Sequence, residues 1–252
     1  MSVLVGSRLA ADIHLSPCCE PRRGVGRPDM LLLHYTGMHS CVRAIDWLSR
    51  PEAKVSCHYV IDTDGRITQM VGEDLRAWHA GVSVWAGETD INSCSIGIEI
   101  HNPGHEQGYP DFPEAQMTAV VALSQDIAAR WSIRPERVLG HSDVAPERKI
   151  DPGEKFHWQR LATAGVGLWV PPAPIDDDAW PGAHASDVAR AQTLLAQFGY
   201  GVDASGVLDE RTMKVLAAFQ RHFRPQRVDG HLDRSTLATI ERLLAAAGTT
   251  TA

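Results

Sequence analysis

The chain has 252 residues, and its 24 lysines and arginines against 31 aspartates and glutamates give a formal net charge of −7. With 44% hydrophobic and 22% charged residues it has the composition of a globular protein that can bury a core, which excludes disordered and collagen-like chains. The acidic balance argues against nucleic acid as a partner, since binding phosphates requires clustered Lys and Arg, and no apolar run approaches the roughly 20 residues that cross a bilayer.

The amino-terminal segment, residues 1–24, lacks the basic start, sustained apolar stretch and small-residue cleavage site of a secretory signal. Pro17, directly before Cys18, also fits the processing site of a lipid-anchored protein poorly. The five cysteines have no regular spacing, and a chain of this size does not need disulfides for stability. We therefore expect reduced, mostly buried thiols and a cytoplasmic location.

Strands and helices alternate through the first part of the chain. Apolar stretches predict four strands, at 30–34, 57–61, 67–71 and 94–100. A turn from Asp62 to Gly65 joins the second and third strands as a hairpin, and Pro113 opens a longer helix. This order predicts an α/β fold with a mixed central sheet flanked by helices. Residues 72–93 and 140–157 are rich in Gly, Pro and polar residues, so we expect long loops there, where functional sites tend to lie.

Residues 171–185 hold four prolines and three consecutive aspartates without helical or strand periodicity, which is typical of a linker. The sequence therefore predicts one domain over 1–170 and a second over 186–252. The second contains an internal repeat, in which Gly206, Leu208, Asp209 and Thr212 recur as Gly230, Leu232, Asp233 and Thr236. Each Asp is expected to cap a helix. Together with a leading helix, the repeat predicts three short helices around one small core.

Two histidines and one aspartate are candidate metal ligands. His34 ends an apolar strand, His141 opens a polar loop, and Asp151 follows in the same loop. Two imidazoles and one carboxylate are a typical set for catalytic zinc, because three protein ligands leave the fourth tetrahedral position for water. The three residues come from separate segments, so their spacing alone also allows ordinary hydrogen-bonded or surface roles.

Five motifs carry a resemblance to a known enzyme family. They are LLLHYTG (31–37), SCHYVID (56–62), WHAG (78–81), NSCSIGIEI (92–100) and GHSDVAPERKIDPG (140–153). In this order and spacing, the chain resembles the zinc-dependent N-acetylmuramoyl-L-alanine amidases over about residues 28–160, and within them the Gram-negative bacterial branch. Residues 186–246 resemble the peptidoglycan-binding module attached to many cell-wall hydrolases, through Gly199-Tyr200, the AFQ run at 218–220 and the paired helix starts.

The resemblance implies a Zn²⁺ ion bound by His34, His141 and Asp151, with Glu99 and Lys149 completing the catalytic centre. The implied reaction is hydrolysis, by a zinc-activated water, of the amide bond between the lactyl group of N-acetylmuramic acid and L-alanine. The implied substrates are peptidoglycan or muropeptides, including 1,6-anhydro forms. In this reaction Glu99 would carry the proton, and Lys149 together with the metal would stabilise the oxyanion.

The same motifs imply that Tyr35, Trp78, His79 and Asn92 contact the substrate, although each could equally serve packing or a loop hydrogen bond. The other histidines, including His105, are expected to be structural or surface residues. Two alternative functions stay open, a non-catalytic peptidoglycan receptor and a zinc peptidase acting within the stem peptide. A wall-binding module also leaves the periplasm as an alternative location. The sequence does not predict the oligomeric state or whether the anhydro sugar is required.

Overall fold

The computed structural model describes residues 5–24, 26–175 and 182–250 of the chain. Its strands are β1 (Asp12–Ile13), β2 (Cys19–Pro21), β3 (Met30–Tyr35), β4 (Tyr59–Ile61), β5 (Ile67–Gln69), β6 (Leu75–Ala77), β7 (Ser95–Ile100) and β8 (Val138–Gly140). Its α-helices are α1 (Cys41–Leu48), α2 (Ile91–Cys94), α3 (Glu114–Trp131), α4 (His141–Val144), α5 (Trp158–Thr163), α6 (Ala185–Phe198), α7 (Glu210–Phe223) and α8 (Arg234–Thr250). No helix in these ranges combines the length and the apolar character needed to cross a membrane.

The central sheet has six strands in the order β1-β5-β4-β7-β3-β8. Strands β4, β7, β3 and β8 run parallel, whereas β5 pairs antiparallel with β4 through the predicted hairpin. Strand β3 is buried from Met30 to His34, as expected for an apolar parallel strand that is covered on both faces. The predicted mixed sheet flanked by helices is confirmed.

The two faces of the sheet pack against different parts of the chain. Leu31 and Leu33 of β3 belong to an apolar cluster that includes the buried side of α3. Met30 and Leu32 point to the opposite face, because successive side chains of a strand alternate, and they belong to a second cluster that continues into the carboxy-terminal helices. By the same alternation, His34 lies on the face of Met30 and Leu32, at the carboxyl end of the strand.

The segments 72–93 and 140–157, predicted as long loops, contain short regular elements. Strand β6 pairs antiparallel with β2 in a separate two-stranded sheet, with Cys19 opposite Ala77. Helix α2 directly precedes β7, and helix α4 directly follows β8. Most of both segments is loop, as predicted, but the short elements were not predicted, because three or four residues are too few to show hydrophobic periodicity.

The last two helices begin where the internal repeat predicts. Asp209 Oδ1 accepts a hydrogen bond from Thr212 N at 2.8 Å, and Asp233 Oδ1 accepts one from Thr236 N at 2.6 Å, so both aspartates cap their helices. Gly230, which precedes the second cap, has a φ of +71°, and a Cβ there would lie 2.6 Å from a backbone oxygen of α7. The predicted three-helix segment is confirmed.

This helical segment packs against the loop that carries Trp85, on the same side of the sheet as Met30 and Leu32. The Trp85 ring lies 5.6 Å from that of Phe198 and 4.9 Å from that of Tyr200, in edge-to-face contacts. One apolar cluster runs without interruption from Met30 of β3 to Ile240 of α8. The core predicted for the three helices is therefore part of a larger core that they share with the sheet.

The predicted linker is described only in part, since residues 176–181 lie outside the described residues. On its amino-terminal side, Ala173 N donates to Thr239 Oγ1 at 2.9 Å and Ser235 Oγ donates to Ala173 O at 2.6 Å. The start of this segment is thus bound to α8. The division into a domain at 1–170, a linker at 171–185 and a domain at 186–252 stays a prediction.

Candidate metal centre

The three candidate ligands meet at one edge of the sheet. His34 lies near the end of β3, His141 is the first residue after β8, and Asp151 lies in the loop that follows α4. Strands β3 and β8 are parallel neighbours, so their carboxyl ends lie side by side. Ligands of parallel sheets commonly bind at the carboxyl ends of the strands. The fold therefore gathers residues that are far apart in the sequence.

The ligand atoms form a compact triangle. The Nδ1 atoms of His34 and His141 are 2.9 Å apart, and each is 3.1 Å from Asp151 Oδ2. All three residues are buried, with at most 6% of their surface exposed. Tetrahedral zinc at about 2.0–2.2 Å from each ligand would separate the ligand atoms by about 3.4 Å. The observed separations are about 0.3 to 0.5 Å shorter, so a small outward shift of the side chains would give that geometry.

The protonation states of these groups also suit a metal. Burial and the neighbouring His141 lower the pKa of His34 to about 4, so its imidazole is neutral at pH 7. Burial raises the pKa of Asp151, but the two histidines lower it by more, and the net pKa lies below the ordinary value. Neutral imidazole and ionised carboxylate are the forms in which these side chains bind metals.

The outer nitrogen of each imidazole is held by the WHAG motif. His141 Nε2 lies 3.0 Å from Ala80 O, and His34 Nε2 lies 3.0 Å from His79 Nδ1. A carbonyl oxygen only accepts hydrogen bonds, so His141 carries its proton on Nε2 and directs the lone pair of Nδ1 into the triangle. Such outer partners orient metal-binding histidines.

A cavity of about 350 Å³ opens beside the triangle and is lined by Tyr35, Trp78, Glu99 and Lys149, among others. Trp78 Nε1 and Glu99 Oε2 are buried atoms without a hydrogen-bond partner among the described residues. Unpartnered buried polar atoms are costly, so these two atoms are available to bind water or a polar ligand in the cavity. Two larger cavities, of about 740 and 670 Å³, are lined by none of the three ligands. The candidate site is therefore identified by its metal-binding side chains and not by the volume of its cavity.

Glu99 lies in β7 directly opposite His34 of β3 in the parallel register. Burial and the nearby charge of Asp151 raise the pKa of Glu99 well above its ordinary value of 4.5, while Lys149 acts in the opposite direction. A carboxylate with a raised pKa beside a metal site is suited to accept and release a proton. Glu99 and Lys149 thus both line the cavity that the ligands border, and their catalytic roles stay a prediction.

The four residues expected to contact substrate have different surroundings. Tyr35, Trp78 and His79 line the cavity, and burial raises the pKa of the Tyr35 hydroxyl to about 12. His79 contacts His34, and burial lowers its pKa well below the ordinary value. Asn92 Oδ1 accepts from the backbone amides of His79 and Ala80, at 3.0 and 2.8 Å. Substrate contact by these four residues stays a prediction.

Sequence reasoning did not single out three residues that support this site. Tyr35 Oη is 3.1 Å from His105 Nδ1, which the sequence left as a structural or surface residue. Arg148 donates to Ala80 O and, at 2.8 Å, to Val82 O. Ser95, like Glu99, points to the metal side of β7. The alternation along the NSCSIGIEI motif was the available signal for Ser95, whereas the other two contacts depend on the folded loops.

Known proteins resemble the chain along most of its length. The sequence model of the family described as N-acetylmuramoyl-L-alanine amidase matches residues 24–154, and that of a peptidoglycan binding domain matches residues 184–240. The N-acetylmuramoyl-L-alanine amidase AmiD of Escherichia coli K12 is 38% identical over 234 residues, which cover 86% of this chain and 83% of AmiD. The 1,6-anhydro-N-acetylmuramyl-L-alanine amidase AmpD of Haemophilus influenzae is 40% identical over 114 residues, which cover 45% of this chain and 60% of AmpD.

The fold is similar to a solved structure as well. The complex of Escherichia coli AmiD with the substrate anhydro-N-acetylmuramic acid-L-Ala-D-γ-Glu-L-Lys matches with a TM-score of 0.76 and 35% sequence identity. The match covers 91% of this chain and 93% of the AmiD chain, so it includes both the sheet and the carboxy-terminal helices. With the sequence matches, this similarity shows that the chain belongs to the N-acetylmuramoyl-L-alanine amidase family.

Proposed function

We propose that this N-acetylmuramoyl-L-alanine amidase performs its hydrolysis at the centre formed by His34, His141 and Asp151, with Zn²⁺ as the metal. The observation that carries the proposal is the convergence of two Nδ1 atoms and one carboxylate oxygen within 3.1 Å of one another. Two nitrogen ligands and one oxygen ligand suit zinc, and the adjoining cavity leaves room for water and substrate. When bound, zinc acts as a Lewis acid that makes water nucleophilic near neutral pH.

The chain's own residues supply the proton transfer and the charge stabilisation. Glu99 Oε2 has no partner among the described residues and lines the ligand cavity, so it is available to accept a proton from the attacking water. The raised pKa makes Glu99 a stronger base for that step, and the departing amine, which is more basic than a carboxylate, then takes the proton. Lys149 lines the same cavity, and its ammonium group can stabilise the developing oxyanion, an effect often worth about 3 kcal/mol.

We further propose muropeptides, including 1,6-anhydro forms, as the substrates. The support is similarity to AmiD, which was solved with an anhydro-N-acetylmuramic acid peptide, and to AmpD, whose name states the anhydro substrate. A receptor role is less well supported, because this chain keeps all three ligands together with an unpartnered Glu99. For residues 186–252 we propose peptidoglycan binding, supported by the family match over residues 184–240.

The test of this function is product analysis with purified anhydro-N-acetylmuramic acid-L-Ala-D-γ-Glu-L-Lys. We expect the zinc-loaded protein to release the intact tripeptide with a free L-alanine amine, detected by mass spectrometry. The free tripeptide without the sugar serves as the matched substrate control and should remain uncut. A cut within the peptide would identify a peptidase, and binding without any cut by the zinc-loaded protein would identify a receptor.

For the location we propose the cytoplasm, with the periplasm as the alternative. All five cysteines are free thiols, and four of them are buried, which suits a reducing compartment. Cell fractionation followed by immunodetection tests the proposal. Recovery of the protein in the periplasmic fraction would contradict it and would point to the intact wall as the substrate.

A further inference from the structure

We propose that the His79–Ala80 segment, held by Asn92 and Ser95, sets the ring orientation and tautomer of both histidine ligands. His79 and Asn92 then act as positioning residues of the metal centre. This inference rests on the proposed zinc site, and it assigns to Ser95 a role that the catalytic mechanism does not include.

A directed chain of hydrogen bonds leads from a backbone carbonyl to the first ligand. Ser95 Oγ donates to Ile91 O at 2.6 Å, so its single proton is used there. His79 Nε2 lies 3.2 Å from Ser95 Oγ, which can therefore only accept, and His79 carries its proton on Nε2. His79 Nδ1 is then an acceptor for His34 Nε2–H at 3.0 Å. The lone pair of His34 Nδ1 is left free, facing Asp151.

The second ligand is fixed by the next residue of the same segment. Ala80 O accepts from His141 Nε2 at 3.0 Å and also from Arg148. The amides of His79 and Ala80 both donate to Asn92 Oδ1, at 3.0 and 2.8 Å. One amide oxygen of Asn92 therefore positions the side chain that holds His34 and the carbonyl that holds His141.

The packing beneath His79 is built around this arrangement. Ser95, Gly97 and Glu99 lie on the metal side of β7, since Ile96 and Ile98 point into the opposite cluster. A Cβ at Gly97 would lie 2.5 Å from His79 Nδ1 and 2.6 Å from its Cγ, so only glycine leaves room for the ring. His79 is 8% exposed and Ser95 is fully buried, so bulk water cannot easily replace their hydrogen bonds.

This geometry also bears on the expected substrate contact of His79. Both of its ring nitrogens are engaged, one by His34 and the other by Ser95. Neither nitrogen is left to hydrogen-bond a sugar or peptide. The ring's placement thus fits orientation of a ligand better than recognition of substrate.

The test compares His79→Asn with His79→Leu, two side chains of similar size. Asn places Oδ1 where His has Nδ1 and can still accept from His34, whereas Leu cannot accept. We would measure the Zn²⁺ dissociation constant of the full-length, metal-free proteins by competition with a chromophoric chelator, and their melting temperatures. The expected result is a loss of about 10- to 100-fold in affinity for His79→Leu and a loss of only a few-fold for His79→Asn.

A second pair of variants tests the proposal away from the ring itself. Ser95→Ala removes the acceptor for His79 Nε2 and should weaken Zn²⁺ binding. Ser93→Ala is the matched control, because Ser93 Oγ donates to Asp90 at 2.8 Å and contacts no ligand. ¹⁵N NMR of the histidine rings should show a protonated Nε2 on His34 in the wild type and a mixture of tautomers in Ser95→Ala.

The outcomes separate this inference from the proposed function. If the wild type binds no Zn²⁺, the zinc site fails and this inference fails with it. If the wild type binds Zn²⁺ and His79→Leu binds it equally well, the positioning role is refuted while the zinc site stands. Equal losses for His79→Asn and His79→Leu would also refute it, since packing rather than hydrogen bonding would then decide the affinity.

Discussion

Replacing Asp143 with alanine should strongly destabilise the protein, although this residue is neither a ligand nor a cavity residue. Its side chain is 1% exposed and accepts three hydrogen bonds. Oδ1 accepts from Tyr200 Oη at 2.6 Å, while Oδ2 accepts from Gly140 N and His222 Nδ1, both at 2.8 Å. Asp143 thus joins the strand that precedes His141 to two points of the helical segment.

The size of the effect follows from the number of buried donors that lose their partner. Each unsatisfied donor costs about 1–3 kcal/mol. Moving the proton of His222 to Nε2 would not avoid the loss, because that atom is also buried without a partner among the described residues. We therefore expect Asp143→Ala to lower the free energy of unfolding by about 3–5 kcal/mol, the usual cost of removing one partner from a buried pair. Asp143→Asn should lower the free energy of unfolding by about 1–3 kcal/mol. The amide of Asn can still form hydrogen bonds with Tyr200 and His222, but its NH₂ group would face the Gly140 N–H, which is also a donor.

The assay is urea unfolding at pH 7, followed by tryptophan fluorescence and far-UV circular dichroism. Asp111→Ala is the control, since the Asp111 side chain is 84% exposed, and it should change the unfolding free energy by less than about 0.5 kcal/mol. A loss below about 1 kcal/mol for Asp143→Ala, or a larger loss for Asp143→Asn than for Asp143→Ala, would show that unsatisfied donors do not determine the stability at this position.

Three further predictions concern the site and the core. His141→Ala should lose both the bound metal and hydrolysis, whereas Glu99→Gln should keep the metal but turn over substrate about 10²- to 10⁴-fold more slowly. Elemental analysis measures the metal and product release measures turnover, and unchanged turnover in Glu99→Gln would contradict the proton-transfer role. Because the pKa of Glu99 is raised and the carboxylate is the active form, kcat/KM should increase with pH along a limb centred above 4.5, and Glu99→Gln should abolish that limb. Glu73→Ala should lower the free energy of unfolding by about 3–5 kcal/mol, because the buried Glu73 carboxylate binds Arg130, Tyr59 Oη and Trp131 Nε1. A urea midpoint equal to that of the wild type would contradict this prediction.

Much of the sheet and the ligand set could be predicted because their signals are local. The run from Met30 to Leu33 is long enough to define a buried strand, and the segments around His34 and His141 match family motifs. The aspartates that cap α7 and α8 act within one helical turn. The strand and the caps depend on residues that are close in the sequence, whereas the metal ligands come from distant segments and could be predicted only because those segments match the motifs of one family.

The parts that could not be predicted depend on contacts between distant segments. Strand β6 has three residues and exists because it pairs with β2, more than fifty positions earlier. The link from Ser95 through His79 to His34 joins three segments, and no single motif displays it. The continuation of the helical core into the sheet likewise requires Trp85 to meet Phe198, which only the folded chain shows.

The core shared by the sheet and the carboxy-terminal helices has a practical consequence for shortening this enzyme. A fragment ending near residue 170 would expose Trp85 and Val144, both at most 1% exposed in the intact chain, and would remove Tyr200 and His222 from the Asp143 carboxylate. Such a fragment would present a new apolar patch next to the segment that carries His141, and it would tend to self-associate. A minimal version would therefore need polar replacements on that uncovered side before it behaved as a monodisperse protein.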